Sequence, residues 1–456
     1  MLVTIKNQIE IEDITPELKA YCKENFVMRN PEYDKRARLG LWTRNIPEYL
    51  HLYERLGNGK YNLPYGCLEQ IQPFLAEAIV SNKLTNIHKV NVNADFMLYS
   101  YQQEAVDEMV KHYVGILQAP AGTGKTQMGL ALACKLKLKT LWLTHTLDLV
   151  QQSYNRAKTY LGRENLGIIA SGKVDIGEFI TFATVQTMSK LNIDLYAKEF
   201  DCVIVDECHR ISGTPTNITM FSKVLNNLYC QRVYGLTATV HRSDGTLPAT
   251  KALVGDIAYQ VSQEEVQDKI LQVGIKPVKT DADITSDCLN SDGTLSYAKL
   301  LNHLSEDVNR NKVIMNCLEK DKPSLFLSDR ISQLDTLKAM LPNSEQSKAV
   351  IVTGKTPKQK REKDIQAMRD GKKQYLFATY QLAKEGLDIP RLERLYMCTP
   401  IKDYAIVTQS IGRIDRTTDG KQEAICYDFV DANRYLQKCF KQRLAHYKKS
   451  NCYQVN

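Results

Sequence analysis

One short segment constrains this chain more than any other: Ala119-Pro-Ala-Gly-Thr-Gly-Lys-Thr126, between an apolar run, YVGILQA, and a helical run from Gln127 to Lys135. A strand that turns into a helix through two glycines presents a row of inward-facing backbone N–H groups, and Gly122 and Gly124 allow that wrapping. The new helix adds its N-terminal partial positive charge. Such a loop is built to hold phosphates. Lys125 is placed to reach the β and γ phosphates of a nucleotide, and the Thr126 hydroxyl to ligate Mg²⁺. Ala119 stands where the common form of this loop has its first glycine.

The surroundings fit a parallel sheet covered by helices. Short β-rich runs alternate with helical patterns: YVGILQA, TLWLTH, FITFAT, DCVIVDE and RVYGLTA, then SLFLSD, AVIVTG, QYLFAT, RLYMCT and AICYDFV. Two successive sets predict two doubly wound α/β lobes. The expected divisions are residues 1–95 as a small α+β accessory domain, 96–261 as the first lobe, 262–307 as a polar linker or insertion, and 308–456 as the second lobe with a basic C-terminal helix. Val3 and Ile5 alternate as in a strand. Thr356, Pro357 and Gly371 read as cap, first turn and end of one helix. Ser100 and Gln103 read as a capping box for another. Lys438, Lys441, Arg443, Lys448 and Lys449 read as the solvated face of the last.

Composition narrows the class. The chain has 456 residues, 43% hydrophobic and 25% charged, and a net charge of +8, which permits a polyanionic partner without demonstrating one. No apolar stretch is long enough to cross a bilayer, and Lys6, Glu10, Glu12 and Asp13 break any signal-peptide core. The 12 cysteines form no CxxC pair. Those inside strand-like runs, such as Cys202, Cys398 and Cys426, read as small buried hydrophobes in a reducing cytoplasm.

A second chemical signal is Asp201-Cys-Val-Ile-Val-Asp-Glu-Cys-His209, an apolar strand ending in two carboxylates, on a strand expected to neighbour the phosphate loop. Asp206 is suited to hold Mg²⁺, and Glu207 to polarise the water that attacks a γ-phosphate. His209 is placed to couple this site to the other lobe.

With these motifs the chain resembles the superfamily-2 helicases of the DEAD/DEAH group, here with Asp-Glu-Cys-His, over residues 98 to 430. The resemblance implies two tandem RecA-like lobes. Leu98-Tyr-Ser-Tyr-Gln-Gln looks like the adenine-side motif, with Tyr101 beside Gln102 as base reader. Together with Ala121, Gly122, Thr123, Gly124, Lys125 and Thr126 these would bind the nucleotide. Leu143 to Gln152, with His145 where the family has proline, and Ala183-Thr-Val-Gln-Thr187 resemble strand-contacting motifs, implying that Thr146, Thr184 and Gln186 hold backbone phosphates. Gly235-Leu-Thr-Ala-Thr239 resembles the motif that links hydrolysis to lobe movement, through Thr237, Ala238 and Thr239. Its continuation, Val240-His-Arg-Ser-Asp-Gly245, is similar to the RecG, XPB and phage UvsW branch. In the second lobe, Ala378 to Pro390 resembles motif V: Thr379 would touch nucleic acid, and Gly386 and Asp388 the nucleotide; Gly354, outside that segment, is a further residue expected to touch nucleic acid. Gln409-Ser-Ile-Gly-Arg-Ile-Asp-Arg416 matches QxxGRxxR, implying that Gln409, Arg413 and Arg416 reach the triphosphate.

The implied activity is an ATP- and Mg²⁺-dependent helicase or translocase acting on DNA forks, junctions or duplex ends in recombination, repair or replication. It would act as a cytoplasmic monomer that grips mainly the phosphate backbone, with RNA as the alternative substrate. A restriction-nuclease motor and a nucleotide-switched clamp without hydrolysis are further alternatives. The intact Lys125, Glu207, Arg413 and Arg416 speak against the clamp. The segment Arg29 to Trp42, rich in basic and aromatic residues, is expected either to contact duplex or junction DNA or to form a small domain packed on the first lobe, with Tyr33, Leu39 and Trp42 in its core.

Overall fold

The computed structural model describes the chain except residues 85–87, 93, 95, 121, 240–244, 263, 267–269, 385–386, 419, 451 and 456. The chain divides into two compact units, residues 1–120 with 124–262 and residues 263–456 with 121–123.

In the first unit the expected α/β alternation is present as an eight-stranded sheet. Its order runs Lys173–Asp175, Leu166–Ala170, Ile180–Thr184, Thr140–Thr144, Cys202–Asp206, Arg232–Thr237, Val114–Gln118, Ile257–Gln260, and every pairing is parallel except the one made by Lys173–Asp175. The strands that carry Asp206 and the phosphate loop were expected to be neighbours. Instead Arg232–Thr237 lies between them, and this places Thr237 beside both. The seven strands other than Lys173–Asp175 present their C-terminal ends at one edge, where open α/β sheets gather their ligands.

The N-terminal residues do not stand apart from this lobe. A five-stranded sheet, in the order Glu54–Arg55, Tyr61–Pro64, Gln8–Glu12, Leu2–Ile5, Ile79–Asn82, buries Val3, Ile5, Ile9 and Ile11. Across it lies the helix Pro16–Asn25, capped by the Thr15 hydroxyl, which accepts from Leu18 N at 3.3 Å. These residues share one core with Val114, Ile116, Leu141 and Val205 of the large sheet. Tyr65 Oη donates to Gln231 O at 2.9 Å. The Glu69 carboxylate accepts from Tyr113 N at 2.6 Å and Val114 N at 3.3 Å. A Cβ on Gly66 would sit 2.5 Å from Ala252 O, so the close approach of the two backbones requires glycine. The expectation for the basic, aromatic segment is corrected in one respect: Leu39 and Trp42 are 63% and 68% exposed and lie in no core.

The second unit is a seven-stranded, wholly parallel sheet in the order Ala349–Val352, Tyr375–Thr379, Ser324–Ser328, Arg394–Met397, Ala424–Val430, Val273–Lys279, Cys452–Gln454. Its inner strands are buried on both faces, by two separate apolar clusters. The expected linker 262–307 is therefore corrected. Val273–Lys279 pairs along its whole length with Ala424–Val430, and Tyr297–Glu306 is an amphipathic helix burying Leu300, Leu301 and Leu304. Pro277 and two lysines, Lys276 and Lys279, disguised that strand.

Helix ends also differ in detail. Lys358–Arg369 follows Pro357, while the Thr356 hydroxyl accepts from Thr353 N at 2.9 Å and does not cap it. Gly371, at φ +75°, ends that helix as expected. The helix Ser100–Lys111 is capped one residue earlier than expected, with Gln102 Oε1 accepting from Tyr99 N at 3.0 Å. Arg443, expected on a solvated face, is 2% exposed and forms a two-pronged pair with Asp428 at 2.7 and 2.8 Å. The twelve cysteines are free thiols and ten are buried. Among the described residues no helix is long and apolar enough to cross a membrane.

Candidate functional site

The phosphate loop connects Val114–Gln118 to the helix Lys125–Leu136. Gly122 and Gly124 have φ of +80° and +83°, the left-handed region that the wrapped loop needs. Lys125 Nζ donates to Ala119 O and Pro120 O, both at 3.2 Å. The lysine thus lies along the loop whose phosphates it would meet. Gln102 reaches the same loop: its Nε2 stands 2.5 Å from where a Gly124 Cβ would be. Tyr101 is buried and stacks on Tyr99 with ring centroids 5.8 Å apart. Thr123 is buried and Thr126 half-buried. Ala121 and Gly386 lie outside the described residues, as does the run from Val240 to Asp244.

The carboxylates differ in environment. Asp206 is buried, and its Oδ1 accepts from Glu207 N at 3.0 Å. Burial first, and the Glu207 charge second, push its carboxyl up to about 7, while Lys125 pulls the other way. Glu207 has φ +54°, unusual for a residue with a side chain, and this aims its carboxylate away from the strand. Glu207 Oε2 lies 3.1 Å from His209 Nδ1, which is also 3.1 Å from Thr237 Oγ1. Thr237 Oγ1 in turn donates to Thr239 O at 2.8 Å and accepts from Thr239 N at 3.2 Å. Glu207 thus lies within ion-pair distance of His209, and hydrogen bonds run on from His209 to Thr237 and from Thr237 to Thr239. No group of three or more His, Cys, Asp or Glu able to cage a metal occurs among the described residues. A hydroxyl and a buried carboxylate, Thr126 and Asp206, are hard oxygen donors that fit Mg²⁺, which keeps waters and phosphate oxygens in its shell and needs no all-protein cage.

The residues of the two motifs expected to contact nucleic acid follow strands of the same sheet, Thr140–Thr144 and Ile180–Thr184. Thr146 caps Leu147–Lys158, accepting from Leu149 N at 3.3 Å, and Thr184 caps Val185–Met188, accepting from Thr187 N at 3.4 Å. Gln186 Nε2 donates to His145 O at 2.7 Å and ties the two motifs together.

In the second unit Gly354 and Thr379 follow the adjacent strands Ala349–Val352 and Tyr375–Thr379, whose C-terminal ends pair as Val352 with Ala378. Gly354 has open space where a Cβ would be. Arg416 pairs with Asp388. Arg413 donates to Ala383 O at 2.9 Å and Leu387 O at 3.0 Å, bracing the motif V loop. Gln409 is buried, and its Oε1 has no hydrogen-bond partner among the described residues. Two participants carried no sequence signal. Arg369 Nε donates to Asp388 O at 2.6 Å, and Lys421 Nζ donates to Arg416 O at 2.8 Å and Ile414 O at 2.6 Å.

Two family descriptions match: "Type III restriction enzyme, res subunit" over residues 95–242 and "Helicase conserved C-terminal domain" over residues 307–418. A protein of Acanthamoeba polyphaga mimivirus, named by inference as an ATP-dependent RNA helicase, is 28% identical over 77% of this chain and 68% of its own length. The DNA 3'-5' translocase XPB2 of Sulfurisphaera tokodaii is 27% identical over 73% of this chain and 81% of its own. The fold is that of S. cerevisiae Dbp5 bound to RNA and ADP BeF3, at 16% identity and a TM-score of 0.55, covering 86% of this chain and 94% of the other. The chain belongs to the superfamily-2 helicases, with XPB-type translocases among its relatives.

Proposed function

We propose that this chain hydrolyses ATP with Mg²⁺ and uses the cycle to move along DNA as a monomer, unwinding duplex or migrating branches at forks and junctions. The observation that carries this reading is the polar chain from Glu207 through His209 to Thr237 and Thr239, beside the Lys125 loop. Glu207 takes the proton of the attacking water. The arriving proton removes the charge that holds His209, so the event is felt at Thr237 and Thr239 through two hydrogen bonds. Lys125 and the N–H groups of Gly122 to Gly124 hold the phosphates. Bound Mg²⁺ neutralises phosphate charge, and Thr126 and Asp206 are the residues assigned to it.

Asp388, Gln409, Arg413 and Arg416 are assigned to the nucleotide on the strength of the family resemblance. Arg416, whose guanidinium pairs with the Asp388 carboxylate, is assigned to the transferred phosphate. Thr146, Thr184, Gln186, Gly354 and Thr379 are assigned to the nucleic-acid backbone, a grip with little sequence preference and strong salt dependence.

DNA is favoured by the XPB2 relative and by the Gly235-Leu-Thr-Ala-Thr239 motif with its continuation; RNA is the second reading, favoured by the mimivirus relative. Steady-state ATPase with and without DNA or RNA tests the proposal. Turnover should rise with DNA, vanish in K125A and E207Q, and fall by roughly 10³-fold in R416A. Full turnover in K125A or E207Q sinks the site, and stimulation by RNA alone sinks the DNA assignment.

A further inference from the structure

The helix Pro31–Arg38 has no buried residue, and in the loop that follows it Leu39, Leu41 and Trp42 are 63%, 53% and 68% exposed. The base of this excursion is nevertheless fixed. Asn30 is 7% exposed; its Oδ1 accepts from Glu32 N at 3.1 Å, its Nδ2 donates to Pro47 O at 2.8 Å, and its backbone N–H donates to Glu48 O at 2.9 Å. Leu41 N donates to Arg36 O at 2.9 Å, and Gly40 makes the turn at φ +66°. A folded stem therefore holds an apolar tip out into water.

The charges around the tip are one-sided. Arg29 pairs with Asp34 at 2.9 Å and Glu48 at 2.5 Å and lies over the rings of Tyr33 and Tyr49; Arg36 pairs with Glu32 at 2.8 Å. These contacts occupy the carboxylates of the stem. Lys35, Arg38 and Arg44 remain as exposed cations that carry no ion pair among the described residues. An exposed indole with unbalanced cations on either side matches a ligand that offers flat aromatic faces on an anionic backbone. A protein partner for Leu39-Gly-Leu-Trp42 would call for no such surplus of positive charge.

We propose that the tip from Leu39 to Arg44 binds unpaired bases at the branch of a nucleic acid, with Trp42 stacking on a base while Lys35, Arg38 and Arg44 hold the flanking phosphates. The proposal rests on the nucleic-acid motor reading above and adds to it a second contact, away from the phosphate loop in sequence and outside the helicase motifs.

The chain has two tryptophans, and Trp142 is fully buried, so a change in indole emission on adding a ligand reports Trp42. The full-length protein is titrated with a forked DNA, a blunt duplex and vesicles of phosphatidylserine and phosphatidylcholine. The fork is expected to quench Trp42, the vesicles to leave it unchanged, and W42A to bind the fork about tenfold more weakly, with W42F recovering most of the loss. Because Trp42 is 68% exposed and supports no core, W42A should unfold at the parent's urea midpoint, so that weaker fork binding is not a folding defect. No quenching at fork concentrations that saturate ATPase, together with a W42A fork Kd within twofold of the parent, overturns the proposal and leaves the motor reading standing. A response to vesicles alone also overturns it and assigns the tip to a lipid surface. Absence of any nucleic-acid-stimulated ATPase in the parent protein removes the motor reading, and this proposal with it.

Discussion

At the scale of single residues, Asp206 and Glu207 show how adjacent carboxylates take different tasks. Asp206 is buried and its carboxyl is pushed up to about 7; Glu207 is turned out by its left-handed backbone toward His209. Since the folded state keeps a proton that the unfolded chain releases, the fold should lose stability as pH rises from the ordinary carboxylate range to about 7, by roughly 1 kcal/mol per pH unit. D206N should remove that slope. Urea unfolding of both proteins across this window, without divalent ions, checks it, and equal slopes would show that Asp206 is not held protonated. His209 supplies a second expectation. H209A should leave nucleotide binding intact yet uncouple ATPase from fork unwinding, because it cuts the chain between Glu207 and Thr237; unwinding per ATP is the quantity to measure. Lys125, Asp206 and Glu207 were legible because each sits at the end of an apolar run, where strand chemistry gives way to site chemistry. Lys421 was not, since its role depends on carbonyls that come within reach only after folding.

At the scale of elements, the last helix, Arg434–Lys449, shows where a sequence pattern misleads. Its cations look alike, yet Arg443 points into the protein and grips Asp428 between two strands' worth of apolar neighbours, with the Tyr447 hydroxyl donating to the same carboxylate at 2.6 Å. The readable signal lay elsewhere: an aspartate in the middle of AICYDFV, a strand buried on both faces, needs a buried cation. R443A should destabilise the second unit by about 3–5 kcal/mol, because it leaves Asp428 uncompensated. The double variant R443M/D428N should recover part of that loss, and chemical unfolding of the pair decides it. The ten strands read from apolar runs all formed, because continuous Val, Ile and Leu fit a doubly covered sheet. Leu166–Ala170 and Val273–Lys279 were missed, because Gly167 in one and Pro277 in the other look like breaks. A Cβ on Gly167 would lie 2.1 Å from Gly177 N, so that glycine is a packing requirement and not a turn.

At the scale of the whole molecule, the first unit unites what the sequence presented as two domains. Composition cannot reveal a shared core, since residues 1–84 carry enough apolar side chains to pass for a domain of their own. G66A should clash with the backbone at Ala252 and cost about 1–3 kcal/mol in unfolding experiments on the full chain. Deletion of residues 1–84 should yield aggregated protein in place of a free motor, checked by solubility and size-exclusion chromatography. The seam also bears on biosynthesis. Cys67 Sγ donates to Ala252 O across 185 residues of sequence. At roughly 5–20 residues per second, the ribosome takes on the order of ten seconds or more to make that stretch. Throughout that interval the first-made sheet waits with one greasy side uncovered, so this protein should depend on a holding chaperone while it is still being made, and ribosome-bound chains ended before Ala252 should be the ones that proteases cut.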